Sequence, residues 1–235
     1  MPAVTKPKPL AADDPRTAWP LYTINEAAKY LGVPYSTLRS WVRPDVGSPL
    51  VHSFPKEGHF ASIPFAGFAE AFVLAAAKRA GLRPARIREG VKAVRAQWGD
   101  LDYALASKRL YIDGAEILMR YAPADDPREP GDLTVARTRQ TQMTQTVRNQ
   151  LELITYGGDD FAAAIQLPIF KKTKVIVDPG EAFGQPFVER TGTRVRDVLA
   201  LFWADEDPRE IAYDFDLEDE EVFDLIRAQT KPAAD

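Results

Sequence analysis

The sequence contains no cysteine. Disulfides and thiolate metal sites are therefore excluded, and a reducing compartment fits the composition. Histidine is almost as scarce, with only His52 and His59 in 235 residues. Without cysteine beside them they make no recognisable zinc set, and the H-E-x-x-H spacing is missing. A Gly-rich phosphate loop, a G-x-S-x-G turn and a Cys nucleophile are missing too. Asp125 and Asp126 are adjacent carboxylates, but neighbouring prolines deny them the apolar frame that tunes an acid. No catalytic residue, metal ligand or cofactor is expected, and the chain reads as a non-enzyme. The longest apolar run, Ala71 to Ala77, is far short of the roughly 20 residues of a membrane helix, so no membrane association is expected. Residues 1–19, with Lys6-Pro7-Lys8-Pro9 and Asp13-Asp14-Pro15, lack an apolar signal core. They are expected to be a disordered arm, and the protein to be cytoplasmic.

Hydrophobic residues make up 45% of the chain, enough for a real core. The net charge is −4, unevenly spread. Pro20 to Arg120 holds 14 Lys and Arg against 9 Asp and Glu, a balance of +5. Arg190 to Asp235 holds 6 against 13, a balance of −7. A basic front and an acidic back suit different partners.

The most informative stretch is Leu21 to Arg43. Ile24, Ala27, Ala28 and Leu31 recur at i, i+3, i+4 and i+7, one face of a helix. Thr23 and Glu26 have the capping-box spacing, and Gly32 permits a left-handed exit. A second apolar set follows at Leu38, Trp41 and Val42. Tyr35 opens that helix, and Ser36, Thr37, Arg39, Ser40 and Arg43 point away from the apolar face. Two short helices around a glycine turn outline a helix-turn-helix, whose second helix presents its polar side to a major groove. Leu50–Phe54 and His59–Ile63 are expected to form a wing hairpin, with Lys56 at its tip for a phosphate.

Apolar spacing predicts two further helices, Phe65 to Ala80 and Pro84 to Trp98. The second carries Arg83, Arg86, Arg88, Lys92 and Arg95 on its polar side, a solvated face more readily than a phosphate stripe. Asp113-Gly114 predicts a hairpin of Arg109–Ile112 with Ile117–Tyr121. Residues 122–132, rich in Pro and acids, read as a linker. Leu151–Tyr156 and Phe161–Leu167 flank Gly157-Gly158-Asp159-Asp160, as a hairpin or a helix and strand, and Lys174–Val177 is a further strand. Three short helices close the chain: one after Thr193, one opened by Asp207-Pro208 and one capped by Asp216. The acids of the last, Glu218 to Asp224, repel phosphate and favour a basic protein partner or solvent.

The T-x-x-E-A-A-x-x-L-G-V run from Thr23 and the T-L-R-x-W run from Thr37 resemble the opening of MerR-like DNA-binding domains. One departure is Pro34, where such domains carry a hydroxyl cap. The P-x-x-x-x-x-x-T-R-V-x-x-V-L run from Pro186 to Leu199 resembles a small trihelical domain of proteins encoded beside PIN-domain toxins. Together the two are similar to a VapB-type antitoxin of a type II toxin–antitoxin module. The resemblance implies a homodimer that binds double-stranded DNA at its own operator, represses its operon and neutralises a cognate PIN-domain (VapC-type) toxin, a Mg-dependent ribonuclease.

The expected fold is α+β. A MerR-like winged helix-turn-helix domain with extra helices and a hairpin spans residues 20–121. After the linker, a small α+β domain spans residues 133–235 and ends in the trihelical unit at 190–229. The expected DNA contacts are Tyr35, Ser36, Thr37, Arg39, Ser40, Arg43 and Lys56, with Arg39 reading a base. Two rival readings stand beside this one. In the first, a MerR-like regulator senses a ligand in its rear half, with Phe161, Phe170, Phe183, Phe187 and Trp203 as pocket candidates. In the second, the chain is a protein-binding adaptor.

Overall fold

The computed structural model describes residues 10–11, 13–45, 47–55, 58, 60–98, 102–110, 142 and 144–230. Helix α1 (Pro15–Ala18) is a single turn, capped where Asp14 accepts the Arg16 N–H at 2.9 Å. The Arg16 guanidinium holds both Asp14 and Asp159, so residues 13–19 are tied to the rear of the molecule. The expected disordered arm does not extend over them, because those two carboxylates give the guanidinium fixed partners.

Helix α2 (Ile24–Leu31) starts with the full capping box. The Thr23 hydroxyl accepts the Glu26 N–H at 3.2 Å, and the Glu26 carboxylate accepts the Thr23 N–H at 2.9 Å. Two donors orphaned at the helix start are thus satisfied. Gly32 ends α2 at φ 62°, the left-handed exit its lack of a Cβ allows. Helix α3 (Tyr35–Val42) follows with Pro34 as cap and no side-chain capping bond.

The segment after α3 differs from the expected wing. Leu50 and Val51 turn back and donate to the Trp41 carbonyl at 2.8 and 3.3 Å. Of the expected hairpin, Phe54 N–H to the Ser62 carbonyl, at 2.7 Å, is a cross-strand bond among the described residues. Ile63 pairs instead with Tyr22, by bonds of 3.0 Å in each direction. The competing strand-like segment lies ahead of α2 and takes the backbone groups a regular wing ladder needs.

Helix α4 (Phe65–Arg79) is the centre of the fold. All thirteen residues from Phe65 to Ala77 are buried, as befits a helix that is apolar nearly all round. Helix α5 (Pro84–Trp98) buries the expected face, Ile87, Val91, Val94 and Trp98. A 3-10 turn, Ala104–Ala106, follows, and Leu110 N–H bonds the Ser107 carbonyl at 3.0 Å. Residues 108–110 therefore turn helically, and Arg109 does not begin a strand. The Asp113-Gly114 turn and the 122–132 linker lie outside the described residues.

Residues 144–151 are helical and place Val147 and Leu151 in the core. An antiparallel meander follows in the order β1 (Ile154–Tyr156), β2 (Ala162–Gln166), β3 (Val175–Val177) and β4 (Phe187–Val188). Ile154 lies opposite Ile165, and Ile165 opposite Val177, so one face of the sheet is buried and apolar. The Gly157 to Asp160 turn joins β1 and β2 as a hairpin.

Three helices close the chain: α6 (Val195–Trp203), α7 (Pro208–Asp214) and α8 (Asp219–Thr230). Asp207 caps α7 through the Arg209 N–H at 2.8 Å. Asp216 does not cap α8; it sits at φ 54° on the way out of α7. Buried residues form a continuous cluster from Tyr22 to Ile226, built from helices and sheet together, an α+β fold.

Candidate nucleic-acid interface

Helix α3 carries a two-sided sequence. Leu38, Trp41 and Val42 are buried, so the 3.6-residue period turns Tyr35, Ser36 and Arg39 outward. The Arg39 side chain is 51% exposed and lies 3.8 Å from Asp45, itself in solvent. An exposed pair of that kind contributes under about 1 kcal/mol, so the guanidinium is free to exchange partners.

The other expected contacts are half-buried. The Ser40 hydroxyl donates to the Thr37 carbonyl at 2.7 Å and is used inside the helix. The Thr37 hydroxyl accepts from Lys78 Nζ, at the end of α4, at 3.3 Å. Arg43 closes α3, its N–H bonding the Arg39 carbonyl at 2.7 Å, and its Nη2 is buried with no hydrogen-bond partner among the described residues. Lys56 lies outside the described residues. The structure thus brings Tyr35, Ser36 and Arg39 together on one open face, with Thr37, Ser40 and Arg43 along its edge.

Lys78 is a cation at this face that sequence reasoning missed. Its signal was present in the Lys78-Arg79 pair just ahead of Gly81, in the last turn of α4. From α5, Arg88 donates to the Ser40 carbonyl at 3.0 Å, and Arg95 donates to the Pro49 and Leu50 carbonyls at 2.8 and 3.0 Å. These two arginines brace α3 and the chain after it. Cations near carbonyls at a helix C-terminus also oppose its dipole.

Behind this face, Glu70 is fully buried in α4. One carboxylate oxygen accepts the His52 N–H at 2.9 Å and meets His52 Nδ1 at 2.8 Å. The His52 ring also packs on Tyr103, centroids 4.4 Å apart. Burial pushes the imidazole pKa down, the hydrogen bond and charge of Glu70 push it up, and the net shift is upward. An open cleft of about 260 Å³ lies beside it, lined by Ser48, Pro49, Val51, His52, Ser53 and Arg95. Among the described residues there is no cluster of His, Asp and Glu that could hold a metal, and no helix is long and apolar enough to cross a membrane.

The aromatic pocket candidates of the rear half do not converge. Phe161, Phe170 and Phe187 are buried, whereas Phe183 and Trp203 point to solvent. Two acids of α8, Asp224 and Glu221, are held inside the molecule, and Glu220 and Asp219 stay at the surface. Asp224 accepts the backbone N–H groups of Lys171, Lys172 and Thr173 at 2.8, 2.8 and 3.1 Å. Glu221 pairs with Arg190 at 2.8 Å, and Glu220 and Asp219 lie 3.9 and 3.8 Å from Lys172 and Arg209.

Two family models match the chain. Residues 20–91 match a family described as "Putative DNA-binding HTH domain", and residues 175–227 match one described as "Protein of unknown function (DUF433)". Over 225 residues the chain is 35% identical to a Mycobacterium tuberculosis protein named "Putative antitoxin VapB45", covering 89% of this chain and 93% of that one. The crystal structure of Rv2018 from Mycobacterium tuberculosis superposes with a TM-score of 0.69 at 32% identity, covering 88% of this chain and 98% of that one. With that identity along nearly the whole length of both proteins, and a DNA-binding helix-turn-helix at its front, the chain belongs to the VapB45 family of antitoxins.

Proposed function

We propose that the chain neutralises a cognate PIN-domain (VapC-type) ribonuclease toxin by direct contact and represses its own operon by binding double-stranded DNA at the operator. On this reading it acts as a cytoplasmic homodimer without catalytic activity. Residues 20–121 read DNA, and residues 133–235 serve the partner. The observation that carries the DNA half is the open Arg39 side chain on a helix whose other face is locked into the core. A bidentate arginine–guanine contact contributes about 1–3 kcal/mol of base discrimination. A two-fold dimer places two such helices on half-sites about one helical turn apart. The ligand-sensing reading has less support, since its aromatic residues divide between core and solvent.

The test is Arg39→Ala in the full-length protein, assayed by gel shift on its own promoter DNA and by rescue of growth against the co-encoded toxin. Operator affinity is expected to fall about 5- to 150-fold, the equivalent of that discrimination energy, with rescue retained. Unchanged operator binding removes α3 as the reading helix. Loss of rescue in a folded variant removes the separation of the two surfaces.

A further inference from the structure

Helix α6 is far more apolar than its burial requires. Of its nine residues, Val195 and Val198 are buried. Leu199, Leu201 and Phe202 are half-covered, and Trp203 is 61% exposed, with the Phe202 ring edge-on at 5.4 Å. On α7, Ile211 and Ala212 face the core while Tyr213 is 88% exposed. Trp and Tyr are the side chains that most often carry binding energy at interfaces, because each offers a large contact area with few torsions to freeze.

The chain around these two rings supplies the charge of the partner. Asp205, Glu206, Asp207 and Glu210 lie between them in sequence, and Asp214 follows Tyr213; all five are exposed. None forms an ion pair among the described residues. The sole cation of the segment, Arg209, is turned toward Asp219 on α8. On α8, Asp224 and Glu221 are held by backbone donors and by Arg190, while Asp219 and Glu220 are exposed, 3.8 and 3.9 Å from Arg209 and Lys172. Exposed negative charge therefore spans the α6–α7 corner and the first turn of α8, and it is at the corner that two exposed aromatic rings accompany it. Nucleic acid is repelled there. A second copy docking through a two-fold axis would set the same carboxylates against themselves.

We propose that the α6–α7 corner, with Trp203 and Tyr213 as anchors and Asp205, Glu206, Asp207, Glu210 and Asp214 as its charged surround, is the surface that docks a basic protein, the toxin itself. This rests on the antitoxin reading above. The carboxylates speed encounter and select a basic patch, and the two rings enter apolar recesses of that patch and slow release.

The experiment uses the full chain and, as probe, the purified product of the reading frame adjoining its gene. Binding is measured by biolayer interferometry for the wild type, for Trp203→Ser with Tyr213→Ser, and for Asp205→Lys with Glu206→Lys. Thermal melting reports folding. The ring variant is expected to dissociate at least about 30-fold faster, and the charge variant to associate more slowly with a flatter dependence on salt. If the ring variant is unfolded, the charge variant decides alone. A wild type that binds the probe, with folded variants that bind within threefold of it, overturns this surface and leaves the antitoxin reading intact. A wild type that does not bind overturns both.

Discussion

The Tyr22 hydroxyl donates a 2.6 Å hydrogen bond to the carbonyl of Gly184, 162 residues further along the chain. Both partners are buried, and burial holds the phenol well above its usual pKa, so it stays a donor. Tyr22 also pairs with Ile63 and packs on Phe68, 4.8 Å between ring centroids. Tyr22→Phe is therefore expected to destabilise the protein by about 1–3 kcal/mol, the cost of leaving a buried carbonyl unpaired. Gly184 sits at φ 72°, where an L side chain costs roughly 1–2 kcal/mol, so Gly184→Ala should also destabilise. Urea melts of the two single variants and the double variant measure both effects, and unchanged midpoints would count against the bond.

Lys78 offers a second check on the reading face. Lys78→Met removes the donor that orients the Thr37 hydroxyl. Operator affinity is expected to fall by about 0.5–1.5 kcal/mol, less than for Arg39→Ala. Fluorescence anisotropy on promoter DNA ranks the two. A larger loss for Lys78→Met would make it a direct DNA contact.

Gly67 faces two opposed effects. Alanine gains about 1 kcal/mol over glycine in a helix interior. Here, however, an added Cβ would lie 2.3 Å from the His52 carbonyl oxygen, and that oxygen belongs to backbone. Overpacking of this kind costs about 1–3 kcal/mol, so Gly67→Ala is expected to be destabilising on balance. A higher melting temperature for the variant would show that the backbone can retreat.

The His52–Glu70 contact gives stability a pH dependence of definite sign. The folded state raises the His52 pKa above 6.5, so it binds this proton more tightly than the unfolded chain does. Its contribution is complete below about 6.5 and is lost as pH rises through the elevated folded value. Urea unfolding between pH 5.5 and 8.5 should show wild-type stability declining relative to His52→Gln across that window. Parallel profiles would mean that the imidazole is not the titrating partner.

The features legible in the sequence were those written in local spacing. Thr23, Glu26 and Gly32 fix both ends of α2, and the apolar steps of α3 and α5 mark their buried faces, whereas α4 is buried all round and not on one face alone. Gly157 to Asp160 marks the β1–β2 turn, and Asp207-Pro208 the start of α7. What spacing does not encode is which distant group competes for a partner. The expected wing pairing holds at Phe54 and Ser62 but does not reach Ile63, because Tyr22, some 40 residues earlier, takes its backbone bonds. The acids that open α8 are exposed as read, but Asp224 and Glu221 are not, because Lys171 to Thr173 and Arg190 come back to meet them. Arg39 was legible as an outward residue; Lys78 was legible as a helix-end cation, but not its place beside Thr37, a contact between residues 41 positions apart.

Helix α4 bears on how the gene can be dissected. A rod sheathed in side chains from both halves of the polypeptide has no face prepared for water. A fragment cut after α5, even one carrying every candidate DNA contact, would strip that rod of its contacts with the 104–106 turn and β2 and is expected to precipitate or be degraded. Separating the two proposed activities is therefore a task for point variants on the surface and not for scissors.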